Sequence, residues 1–262
     1  MYGWDIGFGT AGIFMIIAAI IYFSGMRYFT PEQPKLNSAE AIPAMKKNER
    51  HLLAIIGVIL VITLFQWFAY DQIFNVGLIW TVENVELTTP IGEMPVPWFT
   101  SLDSLASILI VPFLVILWRT QAKRGSEPGD LGKIGIGAAI MAASMATLAL
   151  GAWLADSGRV SVIFPLVAFT LSGIAFMWSW PTSLALVSRH APARINSFAM
   201  AVVYLTGFVS GIGSGFVAGY YESMGATAFW TMNAAISLTG SIAIILLGST
   251  LKRTMDRLDK DV

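Results

Sequence analysis

Residues 52–80 read LLAIIGVILVITLFQWFAYDQIFNVGLIW, and the single charged side chain among them is Asp71. A bilayer-crossing helix needs about 20 mostly apolar residues, so this run is long enough with turns to spare. Its surroundings are of the same kind. The chain has 262 residues, 56% hydrophobic and 12% charged, with a mean hydropathy of +0.70. Soluble domains carry about 25% charged residues. A soluble core of this size cannot hide so much apolar surface behind so few charges. The fold class that follows is all-α, a polytopic membrane protein.

Six further stretches qualify, at 7–27, 101–118, 134–154, 160–187, 198–220 and 226–250, giving seven transmembrane helices. The first is not a signal peptide, because it lacks a basic leading region and runs into GMRYFTPEQPK instead of a small-residue cleavage site. Basic residues fall in alternate connections: Arg27, Lys35, Lys46, Lys47 and Arg50, then Arg119, Lys123, Arg124 and Lys133, then Arg189 and Arg194, then Lys252, Arg253, Arg257 and Lys260. Arg159 alone lies on the other side. The positive-inside rule puts those loops and the C-terminus in the cytoplasm, and seven crossings then put Met1 outside. An exported start without a basic flank is the expectation for a piece of a longer protein.

Zero net charge gives no reason to expect a nucleic-acid partner, and the absence of cysteine removes thiolate chemistry. His51 and His190 sit far apart at helix ends, and no HExxH, Walker or GxSxG pattern is present. Neither metal, cofactor nor enzyme activity is expected.

The polar residues inside the spans carry the functional expectations. Three and four residues apart on a helix share a face, so Trp67, Asp71 and Asn75 form one row, with Phe68 beside it. An Asp at a helix centre costs about 2.5–3.5 kcal/mol on insertion scales and survives facing a polar interior. Two readings stand for Asp71: a proton or substrate carboxylate in a water-filled cavity, or an interfacial residue near the external end. Asp103 likewise reads as a site residue or as a helix-start carboxylate favoured by capping and the dipole. In the fifth span Pro165, Gly173 and Pro181 favour a kink. Trp178 and Trp180 flank the last proline, and serve either as a gate or as ordinary packing. In the sixth, Gly207, Gly211, Gly215 and Gly219 recur every four residues, the spacing of close helix packing.

A retinal protein is excluded because 226–250 holds no lysine for the Schiff base. A receptor does not require a carboxylate-aromatic cavity between kinked helices. A secondary transporter accounts for sparse carboxylates, kinks and close-packing glycines together.

Five pieces of the chain resemble the proton-dependent oligopeptide transporters of the major facilitator superfamily, from that family's sixth helix to its end. They are YGWDIGFGTAGIFMIIAAIIYFSG (2–25), FQWFAYDQ (65–72), MPVPWFTSLDSL (94–105), SWPTSLALVSRHAPAR (179–194) and AMAVVYLTGFVSGIGSGFVAG (199–219). The resemblance implies the C-terminal half of a major-facilitator fold. Residues 1–28 would close the N-terminal bundle, 29–51 would be a cytoplasmic linker, 52–251 the six-helix C-terminal bundle, and 252–262 a cytoplasmic tail. The remaining N-terminal bundle would lie outside these residues, on the same or a separate chain.

Three departures stand out. Asp103 replaces the family's eighth-helix Asn, and Ser104 replaces the Pro after it. Phe176 stands where the family has a Glu that pairs with the peptide's amino group. Asp71 matches the family's seventh-helix carboxylate. The resemblance therefore implies a proton-coupled symporter for di- and tripeptides or related solutes, in a bacterial inner membrane, with protons, a peptide-like substrate and the lipid bilayer as partners. Asp71, Asp103, Trp67, Asn75 and Gln72 would form the proton and substrate site, with Phe176, Trp178, Trp180, Pro181 and Tyr204 lining or gating the cavity. A non-transporting interaction or regulatory subunit, or a truncated fragment, is the alternative.

Overall fold

The structure, a computed structural model, describes residues 4–28, 46–90, 92–155, 158–192 and 195–260. Seven of its helices are long and apolar enough to cross a membrane. The chain divides into two compact units, 1–44 and 45–262. The first holds α1 (Trp4–Gly25), continued by a 3-10 turn at Met26–Tyr28. Most of the expected linker, 29–45, lies outside the described residues, as do Lys35 and Arg194.

The second unit contains α2 (Lys47–Asn84), α3 (Pro97–Lys123), α4 (Asp130–Ala155), α5 (Ile163–His190), α6 (Asn196–Ala218), the short α7 (Tyr221–Met224) and α8 (Ala226–Lys260). Helix α2 begins five residues before the expected span, because the Glu49 carboxylate accepts the Lys46 N–H at 2.7 Å and so satisfies a free donor of the first turn. Helix α8 continues through the expected tail to Lys260, a stretch of mostly helix-favouring side chains. Four two-residue strands interrupt an otherwise helical unit. β1 (Val85–Glu86) pairs in parallel with β4 (Val160–Ser161), and β2 (Thr88–Thr89) pairs antiparallel with β3 (Gly92–Glu93). The Arg159 guanidinium donates to Val85 O at 3.1 Å, fastening the end of α2 to the approach to α5.

Helix packing depends on small residues, but not on those the four-residue repeat in α6 predicts. A Cβ on Gly207, Gly211 or Gly215 would meet nothing within 4 Å. The face that meets α2 carries Ser210 and Ser214, one position away and about 100° round the axis, and there a Cβ on Gly213 would overlap the Phe68 ring. Equally close approaches lie between other helices. A Cβ on Gly137 of α4 would overlap Ser179 of α5, and one on Gly173 of α5 would overlap the Asp103 carbonyl of α3.

Serines complete these seams by donating across them to backbone carbonyls: Ser144 to Ala168 O at 2.7 Å, Ser107 to Gly173 O at 3.0 Å, Ser237 to Ala138 O at 2.8 Å and Ser241 to Gly135 O at 2.9 Å. Inside membranes such bonds contribute about 0.6 kcal/mol each, so these four add roughly 2 kcal/mol. Their larger effect is to fix the register between helices.

Two apolar cores result. One is built on Trp80, Phe99, Phe169, Phe229 and Trp230, all fully buried, and the other on Leu52, Ile59, Leu186, Val203, Ile244 and Met255. The buried polar residues Gln66, Gln72, Asp103, Ser172, Ser179, Ser210 and Ser214 come from the middle stretches of α2, α5 and α6 and from the second turn of α3.

Candidate functional site

Helix α2 organises this polar layer, and its turn geometry decides which partner each side chain meets. Gln66, Tyr70 and Phe74 follow at four-residue spacing and turn toward α3 and α5. Ser179 Oγ donates to Gln66 Oε1 at 2.7 Å. Tyr70 Oη donates to Asp103 Oδ2 at 3.3 Å. The Phe74 ring meets Phe169 edge-on at 6.1 Å. About 100° away, Asp71 and Asn75 turn toward α6. Ser210 Oγ donates to Asp71 Oδ2, and Asn75 Nδ2 donates to Ser214 Oγ at 3.1 Å.

The predicted row of Trp67, Asp71 and Asn75 is thus divided. Asp71 and Asn75 share the α6 face, whereas the Trp67 indole is buried against aromatics of α5, 5.9 Å from Phe176 and 5.2 Å from Trp180. Gln72 does not line an opening. It is fully buried, its Nε2 donating to Ser214 O at 2.6 Å across the α2–α6 contact.

Asp103 is not a helix-start residue. Helix α3 begins at Pro97, six residues earlier, so Asp103 lies beyond the unpaired first-turn amides. Its side chain is 5% exposed and accepts from Ser172 Oγ at 2.6 Å as well as from Tyr70. The two carboxylates therefore occupy separate hydroxyl networks on either side of the Tyr70–Asp71 pair. A hydroxyl donates to an ionised carboxylate and can accept from a protonated one. A proton on either carboxylate can therefore reverse the sense of one inter-helix bond without breaking it.

The aromatic residues of α5 also separate. Trp178 and Trp180 are two positions apart, about 200° around the helix. Trp180 joins Trp67, Phe176 and the Tyr204 ring of α6, the last at 5.3 Å. Trp178 is buried on the opposite face, 5.5 Å from Trp118 of α3. Pro181 is exposed and lies within the helix. Tyr70, Phe176, Trp180 and Tyr204 form a continuous aromatic ribbon, with successive centroids 5.6, 6.2 and 5.3 Å apart. Among the described residues no group of three His, Cys, Asp or Glu side chains could hold a metal.

Tyr70, Gln66, Ser172, Ser179, Ser210 and Ser214 complete the site and were not singled out from the sequence as site residues. Gln66 carried a visible signal, an amide in an apolar run. The serines look like any small residue of a packed membrane helix until their partners are in place.

The family model PTR2, described as the POT family, matches residues 35–232. The peptide transporter YePEPT of Yersinia enterocolitica subsp. palearctica serotype O:3 (strain YE-P4) is 24% identical over 178 residues, 67% of this chain and 35% of that protein. The di-/tripeptide transporter of Lactococcus lactis subsp. cremoris is 27% identical over 195 residues, 72% of this chain and 36% of that one. The chain thus spans about a third of the length of these relatives. Among solved structures, a peptide transporter POT in complex with sulfate matches with a TM-score of 0.76 at 18% identity, covering 97% of this chain and 49% of its own. A POT family transporter in complex with 5-aminolevulinic acid matches with a TM-score of 0.73 at 18% identity, covering 95% and 49%.

Proposed function

The chain belongs to the POT family, and from that premise we propose that it is the C-terminal portion of a proton-coupled symporter for di- and tripeptides or related small solutes. The family is one of membrane transporters and not of enzymes, and the chain is an integral membrane protein with seven spans. The observation that carries the reading is the Asp71 carboxylate, carried within an apolar membrane-spanning helix and bonded to Ser210 of α6.

In this reading Asp71 takes up and releases the coupling proton, or pairs with a basic group of the N-terminal bundle. Proton binding turns the Ser210 bond around and loosens or tightens α2 against α6. Asn75 and Gln72 hold the same helix pair in register. Asp103, held by Ser172 and Tyr70, offers the negative charge for a cationic substrate group that Phe176 cannot supply. Trp67, Phe176, Trp180 and Tyr204 form the apolar wall, Pro181 and Trp178 shape α5 behind it, and the glycine repeat of α6 leaves its outer face smooth. Residues 1–28 belong to the N-terminal bundle, 29–51 are the linker, 52–251 the C-terminal bundle and 252–262 the tail. Two bundles rocking about a shared site give alternating access. The membrane is the bacterial inner membrane, with the C-terminus cytoplasmic.

The test is uptake of a labelled dipeptide into proteoliposomes holding this chain with its complementary N-terminal bundle, under an inward proton gradient. Gradient-driven uptake that disappears in Asp71→Asn supports the reading, and undiminished uptake in that variant overturns it. A second reading is a non-transporting regulatory or interaction subunit. That reading predicts no uptake of its own and a changed rate in a transporter bound to it.

A further inference from the structure

A groove of about 400 Å³ runs between α4 and α8, lined by none of the residues of the candidate site. It starts where Lys252 and Gly129 face each other and ends at Ala139 and Ser241. The walls between are apolar or small, chiefly Ile136, Ile244 and Ile245. Lys252 to Ser241 is eleven residues, about 16 Å at 1.5 Å per residue, and one leaflet of a hydrocarbon core is about 15 Å deep. The groove therefore spans a single leaflet, with a cation at one end.

Lys252 Nζ lies 3.6 Å from the position a Cβ would take on Gly129 and forms no ion pair among the described residues. The opening amides of α4 reach the same mouth, where first-turn N–H groups lack intrahelical acceptors. The acidic groups nearby are Asp130 and Asp256. Asp130 is held by the Arg189 guanidinium at 3.2 Å. Asp256 and Asp130 also line a neighbouring hollow that Lys252 shares with Arg189 and His190, so Lys252 and Arg189 together balance the two carboxylates there.

We propose that the α4–α8 groove is a binding site for one anionic phospholipid, its acyl chain along the groove and its phosphate at Lys252. The apolar walls fit a hydrocarbon chain, the length fits one leaflet, and the charge at the mouth complements the headgroup. Juxtamembrane lysines attract anionic lipid in the same sense.

The experiment is native mass spectrometry of the intact protein released from nanodiscs made with equal parts phosphatidylglycerol and phosphatidylcholine. Wild type retains one phosphatidylglycerol at least threefold in excess over phosphatidylcholine. Lys252→Ala abolishes that preference, Lys252→Arg restores it, and Ala139→Leu, which fills the groove from an exposed position, expels the lipid whatever its headgroup. Equal retention of the two lipids by wild type overturns the proposal. So does an Ala139→Leu protein that keeps its phosphatidylglycerol, which marks a surface charge effect only. A detergent-resistant dimer in place of bound lipid overturns it as well, because the occupant is then a second copy of the chain.

Discussion

Ser210 Oγ donates to Asp71 Oδ2, so the one charged residue in the apolar run of α2 is tied to α6. An amide in that place can still accept from the serine but cannot exchange a proton. Asp71→Asn is expected to change stability by no more than about 1 kcal/mol, the range of a single interhelical bond in a membrane. It should cut proton-driven uptake at least tenfold while leaving equilibrium binding of substrate in place. Binding measured beside flux separates the two effects.

Asp103 accepts two hydroxyl groups in a buried setting. Asp103→Ala removes the acceptor of the half-buried Tyr70 hydroxyl, while Ser172 keeps the Phe169 carbonyl at 2.8 Å, so the loss is about 1 kcal/mol, the low end for a stranded group. Asp103→Asn keeps an acceptor for one of them and should recover most of the loss. Thermal unfolding of the three proteins in one detergent reads the order, wild type above Asn above Ala. Under the proposed role, Asp103→Asn also weakens a substrate bearing a free amine more than its acetylated analogue.

Gly173 and Gly211 have the same chemistry and opposite surroundings. A methyl on Gly173 overlaps the Asp103 carbonyl and comes within 3.0 Å of Ser107 Oγ, whereas one on Gly211 meets nothing within 4 Å. Gly173→Ala should destabilise by about 1–3 kcal/mol through overpacking. Gly211→Ala should be neutral or slightly stabilising, since Ala is the better helix former. Equal melting temperatures for the two variants would contradict the packing described for α3 and α5.

The contrast between these glycines shows where sequence reading stops. The seven spans and the all-α class were legible because apolar length is a property of the chain alone, and the family through the resemblance of five short pieces such as FQWFAYDQ. Asp71 was legible as an intramembrane carboxylate for the same reason. Gly207, Gly211 and Gly215 were not, because spacing gives a face and not the helix that face meets. Trp178 and Trp180 show the same limit: two positions apart in sequence, they lie on opposite sides of α5. Ser172, Ser210 and Ser214 stayed silent because a hydroxyl is too common a group to signal anything before its acceptor is known. The extra turns of α2 and α8 were hidden by polar side chains, which a hydropathy pattern reads as loop.

Outside the membrane, Glu86 titrates below the ordinary glutamate range because the Thr88 amide donates to its carboxylate at 3.2 Å, with Arg159 adding a smaller effect in the same direction. A folded-state value below the unfolded one contributes stability above the unfolded value of about 4.3, and that contribution is lost as pH falls through the folded value. Thr88→Pro removes the donor. The Glu86 carboxyl signal, followed by carbon NMR, should titrate at lower pH in wild type than in the variant.

Helix α2 runs 38 residues without a break, about 57 Å of rigid rod at 1.5 Å per residue, nearly twice the hydrocarbon thickness of about 30 Å. Asp71 does not sit at its middle. About 36 Å of helix lies on the Lys47 side and about 20 Å on the Asn84 side. With Asp71 as fulcrum, a tilt of about 10° swings the Lys47 end by about 6 Å and the hairpin end by about 3 Å, an amplification set by where along the rod the carboxylate stands.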